Sequence, residues 1–202
     1  TASTTTFNGT ILGNTHSLSL SHNAVFGNAT GDSVTDITNL SVLGTGATSI
    51  YTDTITTSAG QSYTGPVTLY NTSSLTDTGA SPIAFNDTVD AATPGTQGLT
   101  VNTDGTITFT GAVGNAGTNR IATLTIGNTH NPTLTTFSNT VYAVNFAFTG
   151  SALMLNNAMS NTGNTTLTNS GLFTKGTTGT IVSNGGFTQN GAGTNSIGSD
   201  IT

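Results

Sequence analysis

Residues 98–114 read Gly-Leu-Thr-Val-Asn-Thr-Asp-Gly-Thr-Ile-Thr-Phe-Thr-Gly-Ala-Val-Gly, and this stretch decides the fold. Leu99 and Val101 alternate with Thr, and Ile107 and Phe109 do so again after Asn-Thr-Asp-Gly. Alternation of apolar and polar residues is the pattern of a strand with one buried face, while Asn, Asp and Gly favour turns. The stretch therefore predicts two short strands joined by a tight turn.

A unit made of an aromatic residue, a small polar turn and an aliphatic residue recurs along the chain. It occurs at 7–11, 63–67, 85–89 and 109–113, and the last three copies start 22 and 24 residues apart. Looser copies occur at 137–141 and 148–151, while Phe173 and Phe187, each followed by Thr, keep the aromatic position. A repeat of this length is typical of a solenoid, in which each coil buries its apolar face against the next.

We predict an all-β fold, a right-handed parallel β-helix (β-solenoid) with roughly 20–25 residues per coil. Residues 1–202 would form a single solenoid of about nine coils, either complete or part of a longer repeat protein, with the best repeat match over 50–126. The alternative is an antiparallel β-sandwich or jelly roll, because Gly-containing turns also permit hairpins. The expected structural core comprises Phe7, Tyr63, Val67, Phe85, Val89, Leu99, Val101, Ile107, Phe109, Val113, Leu124, Ile126, Phe137, Phe148, Phe173 and Phe187.

The composition excludes several classes of protein. Only 5% of the residues are charged, the formal net charge is -6, and there is no Cys. Nucleic-acid binding needs clustered Lys and Arg, and a helical bundle needs the charged helix formers that are nearly missing here. Disorder is the main competitor, but the 33% hydrophobic residues lie in alternating runs, which favours a packed core. No apolar run is long enough for a transmembrane helix.

The clearest repeats support a family resemblance. Residues 57–69, 83–90, 98–114 and 121–126 resemble the repeats of large bacterial exoproteins and adhesins of the filamentous-haemagglutinin and autotransporter type. The resemblance covers somewhat over a third of the chain and is specific for a class of repeat. It implies a right-handed β-helix that acts mainly as a stalk, and an extracellular or bacterial cell-surface location.

Candidate catalytic and metal-binding residues are few. Asp87 and Asp90 form the closest acidic pair, with Asp32 and Asp36 next, but alternation separates Asp87 from Asp90, and a turn position is expected for Asp90. Three histidines, His16, His22 and His130, lack a set of further ligands, and no Gly-x-Ser-x-Gly elbow is present. We therefore expect no enzyme activity, and we assign no catalytic, cofactor-binding or metal-binding residue.

Exposed hydroxyl and amide groups suggest other surfaces. Thr-x-Thr pairs could order water on one face, as in an ice-binding protein, but the pairs are 52, 17, 10 and 33 residues apart rather than one coil, which disfavours this reading. The pairs are Thr54/Thr56, Thr106/Thr108, Thr123/Thr125, Thr133/Thr135 and Thr166/Thr168. Asn-x-Ser/Thr sequons begin at Asn8, Asn28, Asn39, Asn71, Asn86 and Asn164. Tyr51, Tyr70 and residues 81–95 are the expected adhesive surface.

The leading functional hypothesis is a non-enzymatic structural β-solenoid segment of a secreted or cell-surface adhesin or exoprotein. Its expected partner is the continuation of a longer solenoid, with a host-surface or glycan receptor as a further candidate. The alternative is a subunit that stacks end to end into extracellular filaments, because open solenoid ends present unpaired strand edges. A polysaccharide-binding or -cleaving β-helix protein is the third hypothesis, and the small number of carboxylates disfavours it.

Overall fold

The computed structural model describes residues 3–202, and these residues form an all-β solenoid without any helix. About nine coils of about 22 residues are stacked, and every strand pairing between coils is parallel. This parallel pairing excludes the antiparallel sandwich and the jelly roll for residues 3–202, whereas the hand of the coil stays a prediction. Within the same residues no helix is long and apolar enough to cross a membrane.

Each coil contributes strands to three parallel sheets, and three longer strands run around a corner between two sheets. The strands in chain order are β1 (Thr4–Phe7), β2 (Ile11–Leu20), β3 (Asn23–Phe26), β4 (Ser33–Val42), β5 (Thr48–Ile50), β6 (Thr54–Thr57), β7 (Gln61–Tyr63), β8 (Val67–Leu69), β9 (Ser73–Asp77), β10 (Ile83–Phe85), β11 (Val89–Ala91), β12 (Leu99–Asn102), β13 (Thr106–Phe109), β14 (Ile121–Ile126), β15 (Leu134–Phe137), β16 (Val141–Gly150), β17 (Ala152–Leu155), β18 (Met159–Asn161), β19 (Asn164–Asn169), β20 (Phe173–Lys175), β21 (Ile181–Ser183), β22 (Gly186–Gln189) and β23 (Asn195–Ile197).

We name the sheets A, B and C in the order in which the chain enters them. Sheet A contains β1, β3, β5, β8, β11, the start of β16, β18 and β21, with Val113 bridging Val89 and Val141. Sheet B contains the first parts of β2 and β4, then β6, β9, β12, β14, the second part of β16, β19 and β22. Sheet C contains the ends of β2 and β4, then β7, β10, β13, β15, β17, β20 and β23.

The coils differ in length because the corners between sheets differ in length. Counting from the strand in sheet A, coils 1 to 9 cover 4–22, 23–47, 48–66, 67–88, 89–112, 113–140, 141–158, 159–180 and 181–200. Coil 7 therefore has 18 residues and coil 6 has 28. Longer corners leave the strand register unchanged, because the extra residues bulge outward as loops at 92–98, 114–120 and 127–133.

Four copies of the aromatic–turn–aliphatic unit form the corner from sheet C into sheet A of the next coil, at 63–67, 85–89, 109–113 and 137–141. Tyr63, Phe85, Phe109 and Phe137 occupy one position in sheet C and form a continuous stack with ring centroids 5.2, 4.7 and 4.7 Å apart. The aliphatic ends of the unit, Val67, Val89, Val113 and Val141, lie in register in sheet A. These four copies of the repeat therefore mark one corner of the coil.

Glycine is required in this corner because successive coils approach closely. A Cβ at Gly65 would lie 2.3 Å from the carbonyl oxygen of Gly46, and one at Gly111 would lie 2.4 Å from the carbonyl carbon of Asp87. Both distances are far below van der Waals contact, so any other residue would push the coils apart. The Thr-Gly-Pro-Val and Thr-Gly-Ala-Val stretches therefore keep the coils at strand-pairing distance.

Most of the expected core residues are buried, and two lie at the margins. Phe7 and Phe187 are only partly buried and pack against the outer coils, whereas the other core residues predicted from the sequence are buried. The aromatic residues of the core do not all occupy one column. Phe7 stacks on Phe26 in sheet A at 5.8 Å, while Phe148 and Phe187 lie in sheet B. Similar short sequences therefore occupy different corners of the coil.

Candidate functional site

The acidic side chains that follow sheet A are bound to backbone amides at the corners. Asp32 Oδ2 accepts hydrogen bonds from the amides of Asn28 (2.9 Å) and Ala29 (3.2 Å). Asp53 accepts one from the amide of Gly31 at 2.7 Å and another from the side chain of Asn71. These carboxylates cap turns and tie one coil to the next, which is a structural use of their charge.

Asp87 and Asp90, the closest acidic pair in the sequence, lie at a corner and in the strand that follows it. Asp87 lies in an exposed corner and accepts a hydrogen bond from the amide of Thr88 at 2.8 Å. The turn position expected for Asp90 is wrong, because Asp90 lies inside β11, with its side chain on the outer face between the buried Val89 and Ala91. Partial burial and the nearby charge of Asp87 raise the pKa of Asp90, against the effect of hydrogen bonds from Thr88 and Asn119. Asp87 and Asp90 therefore lie close enough to interact, and both accept a hydrogen bond from Thr88.

The three histidines are separated and bind local groups. His130 Nδ1 lies 2.9 Å from Asp104 Oδ2, and this hydrogen bond lowers the pKa of Asp104. His22 Nε2 lies 2.7 Å from Thr5 Oγ1, and His16 Nδ1 lies 2.8 Å from the carbonyl oxygen of Asn14. Over residues 3–202, no three His, Asp or Glu side chains come together as a metal site.

A buried carboxylate that the sequence did not single out lies inside coil 4. Asp77 is fully buried and accepts four hydrogen bonds: Oδ2 from the amide of Gly60 (2.6 Å) and the Thr57 hydroxyl (3.1 Å), and Oδ1 from the amides of Gly79 (3.1 Å) and Ser81 (2.7 Å). All of these donors belong to the corner between sheets B and C in coils 3 and 4. Asp77 is therefore saturated by the protein and organises the corner.

The polar network continues from this corner into the aromatic stack. Gln61 is buried and donates to the carbonyl oxygens of Ile55 (3.2 Å) and Thr76 (3.1 Å), while its Oε1 accepts the Tyr63 hydroxyl at 2.9 Å. Burial raises the pKa of Tyr63. No alternation pattern could identify this cluster, because Gln61 and Asp77 occupy inward positions that the pattern assigns to apolar residues.

Both cations of the chain are used to hold loops and corners. Arg120 donates to the carbonyl oxygens of Ala143 (2.7 Å) and Ser160 (2.5 Å), and its guanidinium carbon lies 5.6 Å from the centroid of the Tyr142 ring. Lys175 is buried, and its Nζ donates to the carbonyl oxygens of Gly176 (2.9 Å) and Thr178 (2.7 Å). Burial lowers the pKa of Lys175.

Two tyrosines form a stacked pair at the corner between sheets A and B. The rings of Tyr51 and Tyr70 have centroids 4.3 Å apart, and Tyr70 is 44% exposed. Partial burial, together with the neighbouring Tyr70, raises the pKa of Tyr51. Within the other suggested adhesive stretch, 81–95, residues 92–95 form an exposed loop at the same corner in coil 5, where the amide of Ala92 donates to the carbonyl oxygen of Leu69. An exposed aromatic surface at Tyr51 and Tyr70 is therefore present.

A concave surface follows the corner between sheets B and C in coils 6 to 9. This groove has a volume of about 360 Å³, and its uncharged lining combines amide and hydroxyl side chains with Gly150, Gly191 and Ala192. Asn131, Thr149, Ser151, Thr168, Asn169 and Asn190 contribute to its walls. Asn169 is fixed in place, since it donates to the carbonyl oxygen of Gly171 and accepts from Gln189, both at 2.7 Å. Such a groove can exchange hydrogen bonds with a neutral, hydroxyl-rich ligand.

The structure divides the sequons into two groups. The side-chain amides of Asn39 and Asn71 donate to carbonyl oxygens of an adjacent coil, Asn39 to Ala59 and Asn71 to Tyr51. The other sequon asparagines are exposed, and they are Asn8, Asn28, Asn86 and Asn164.

The Thr-x-Thr pairs lie on more than one sheet. Thr54/Thr56, Thr123/Thr125 and Thr166/Thr168 are on sheet B, whereas Thr106/Thr108 is on sheet C. In the last pair, Thr133 precedes β15 and Thr135 points into the core.

No protein-family model, no curated protein and no solved structure matches this chain.

Proposed function

We propose that the chain is a non-enzymatic structural segment, a rigid β-solenoid rod that extends a secreted or cell-surface adhesin or exoprotein. The observation that carries the proposal is the apolar interior, which runs in register through consecutive coils and is closed on three sides by parallel sheets. Such a chain gains stability by nearest-neighbour stacking, so additional coils lengthen the rod without a new fold. Nine coils at about 4.8 Å each correspond to a rod about 43 Å long.

The use of the charged groups supports the absence of catalysis in this proposal. Asp32, Asp53 and Asp77 accept backbone amides at corners, and Arg120 and Lys175 donate to backbone carbonyl groups. A general acid or base needs a polar side chain within reach of a substrate in a cleft. The lining of the groove in coils 6 to 9 contains no charged or imidazole side chain.

Solution scattering and a polysaccharide-cleavage assay test this proposal. We expect the purified chain to scatter as a monomeric rod about 43 Å long, and to release no new reducing ends from neutral or acidic polysaccharides. The variant Asp87→Asn/Asp90→Asn is the matched control, because it removes the closest acidic pair from the sequence. Cleavage by the native chain that this variant loses would overturn the non-enzymatic assignment.

A second candidate function is end-to-end assembly into filaments, and the strand edges favour it. In residues 3–202, β1 and β2 pair on one side only, as do β22 and β23 at the other end. Unpaired edges are templates for another strand. Electron microscopy at increasing protein concentration separates the two proposals: short rods support the stalk segment, whereas long uniform fibres support the filament subunit.

The groove favours a third function, the binding of a neutral polysaccharide. Its amide and hydroxyl lining matches the hydrogen-bonding capacity of sugar hydroxyls. We expect retention of the chain in affinity gels that contain a neutral glucan or galactan, and a loss of retention in Asn190→Ala. The exposed Asn156, which lies at a corner outside the groove, provides the control Asn156→Ala. Equal retention of the two variants would contradict binding in the groove.

A further inference from the structure

A file of small side chains, seven of eight with a hydroxyl group, runs along the outside of sheet B. The file consists of Ser33, Thr54, Ser74, Thr100, Thr125, Ala147, Thr166 and Thr188, one from each of eight consecutive coils. Neighbours in the file are separated by 19 to 26 residues in sequence, yet they are register partners in the sheet. The unequal sequence spacing of the Thr residues disfavoured an ordered Thr surface. Corner loops of different length account for this spacing, so the Thr residues are still aligned in the sheet.

A second, interrupted file lies two residues further along the same strands. Thr56 and Thr76 are register partners in coils 3 and 4, as are Thr149 and Thr168 in coils 7 and 8. Between these patches, Asn102 occupies the equivalent position in coil 5. Its side chain is buried, and its Oδ1 accepts a hydrogen bond from the amide of Asn128 in the 127–133 loop. Sheet B therefore presents two double-file patches joined by one continuous file.

The hydroxyls of the first file are available to solvent. Thr hydroxyls that donate to the protein, such as those of Thr57 and Thr78, lie inside the coil or at corners. Across the described residues 3–202, the hydroxyls of the first file take part in one hydrogen bond to the protein. In it, the side-chain amide of Asn102 donates to the Ser74 hydroxyl at 3.4 Å. The side chains of Thr54, Thr100, Thr125 and Thr166 are half-buried at their stems and point outward.

The array is rigid and regular in two directions. Successive coils repeat at about 4.8 Å, and two residues along a strand span about 6.7 Å. Thr is β-branched, so its χ1 angle is restricted and its methyl and hydroxyl groups hold fixed positions. The backbone below the array is held by parallel ladders on both sides of each inner strand. A surface of this kind repeats small hydroxyl and methyl groups at regular spacings, and no residue of the two files is charged.

We propose that the outer face of sheet B binds ice, by ordering a layer of water between its Thr files that joins the crystal. The first file lacks charged and large apolar side chains, which is unlike the aromatic, desolvated centre of a protein interface. It also lies outside the groove in coils 6 to 9, whose wall includes Thr149 and Thr168 of the second file. An ordered water lattice is the partner that matches a rigid repeat of small hydroxyl and methyl groups. This inference is independent of the rod or filament function.

Variants on two faces of the same chain test the proposal. Thr54→Tyr and Thr166→Tyr each place a bulky side chain in one double-file patch, and the double variant blocks both. The controls are Thr68→Tyr on sheet A and Thr174→Tyr on sheet C, which are outward, half-buried Thr residues like the test positions. Tyr is a good strand former, so we expect all variants to fold, and far-ultraviolet circular dichroism with thermal melting verifies this.

The measurements are inhibition of ice recrystallisation and incorporation of dye-labelled chain into a growing ice crystal. We expect the native chain and both controls to enter the ice and to slow grain growth. Each single variant should need at least a twofold higher concentration for the same effect, and the double variant at least tenfold. Exclusion of the folded native chain from ice overturns the proposal. Equal losses in the sheet B variants and the controls overturn it too, and so does binding only to an insoluble polysaccharide.

Discussion

Coils 3 to 6 and coils 8 and 9 share one backbone arrangement but have different interiors. At the inner position of sheet C, the first region stacks Tyr63, Phe85, Phe109 and Phe137. The same column continues into Leu155 and then into Lys175 and Ile197, and Ile197 is 44% exposed. An aromatic column thus gives way to a buried amine and a half-exposed aliphatic residue within four coils.

One inner column of sheet A changes in the same direction, from Leu69 and Ala91 to Asn161 and Ser183. In coils 8 and 9, Asn161 donates to Thr165, and Ser183 donates to Thr165 and to the carbonyl oxygen of Gly186. Coil 9 also lacks strand partners on its outer side in sheets B and C, because β22 and β23 pair on one side only. Because each coil contacts only its neighbours, we infer that coils 3 to 6 supply most of the stability and that coils 8 and 9 open first.

The largest expected effect comes from removing one ring of the aromatic stack. Phe109 is fully buried between Phe85 and Phe137, so Phe109→Ala creates a cavity and breaks two stacked contacts. We expect the free energy of unfolding in urea to fall by about 3–5 kcal/mol. The matched control is Phe187→Ala in coil 9, where the ring is only partly buried, with an expected loss of about 1 kcal/mol. Equal losses would contradict the division into two regions.

The buried carboxylate of coil 4 gives the next effect. Asp77→Asn keeps the shape of the side chain but replaces one acceptor oxygen with an amide that faces donors, so at least one of the bonds from Gly60, Thr57, Gly79 or Ser81 is lost. We expect a loss of about 2–3 kcal/mol of unfolding free energy. Asp87→Asn at an exposed corner should change it by no more than about 0.5 kcal/mol. A loss at Asp77 as small as that at Asp87 would show that the corner does not depend on the charge.

The sequence predicts the apolar inward residues of the coils, but it does not predict the polar inward residues. Alternation identified Leu99, Val101, Ile107 and Phe109 as inward residues because apolar residues at period 2 have one buried face. The corner that carries the aromatic stack could be recognised in the sequence because its length is constant. Three residues separate Tyr63 from Val67, and three separate Phe85 from Val89.

Polar inward residues escaped prediction because their partners are set by tertiary contacts. Asp77 and Lys175 bind backbone groups of corners, and nothing in the local sequence marks a backbone group as available. The Thr file on sheet B was hidden for a related reason, since the register between Thr100 and Thr125 depends on how far the corner loops bulge. A periodic search assumes equal coils and therefore misses the file.

The buried amine of Lys175 in coil 8 is expected to lower the free energy of unfolding, so replacing it should stabilise the chain. Lys175 has no acidic partner within the described part of the chain, where the only ion pair joins His130 to Asp104. Replacing a buried charge with an apolar side chain is often stabilising. We therefore expect Lys175→Met to raise the free energy of unfolding at pH 7 by about 1 kcal/mol. Lys175→Arg, which keeps the charge at every pH, should give no such increase.

The pH dependence identifies the cause of this gain. Burial lowers the pKa of Lys175 below its usual value of 10.5, so the folded state loses the proton before the unfolded state does. The unfolded state then binds more protons, and the native chain becomes more stable relative to Lys175→Met as the pH rises from that lowered pKa to 10.5. Urea unfolding of both chains at pH 7 and pH 10 measures the difference. A difference that does not shrink at pH 10 would mean that packing, rather than charge, causes the gain.

The smallest expected effect concerns one hydroxyl in the stable region. Thr135 is fully buried between Ile107 and Leu153 in sheet C, and its Oγ1 has no hydrogen-bond partner in residues 3–202. Thr135→Val keeps the shape and removes the unsatisfied group, so we expect a gain of about 1 kcal/mol in urea unfolding. The same substitution at Thr57 removes the donor to Asp77 and should cost about 1–2 kcal/mol. Opposite signs at two buried Thr positions would show that hydrogen-bond satisfaction, rather than burial alone, decides which polar residues the solenoid interior tolerates.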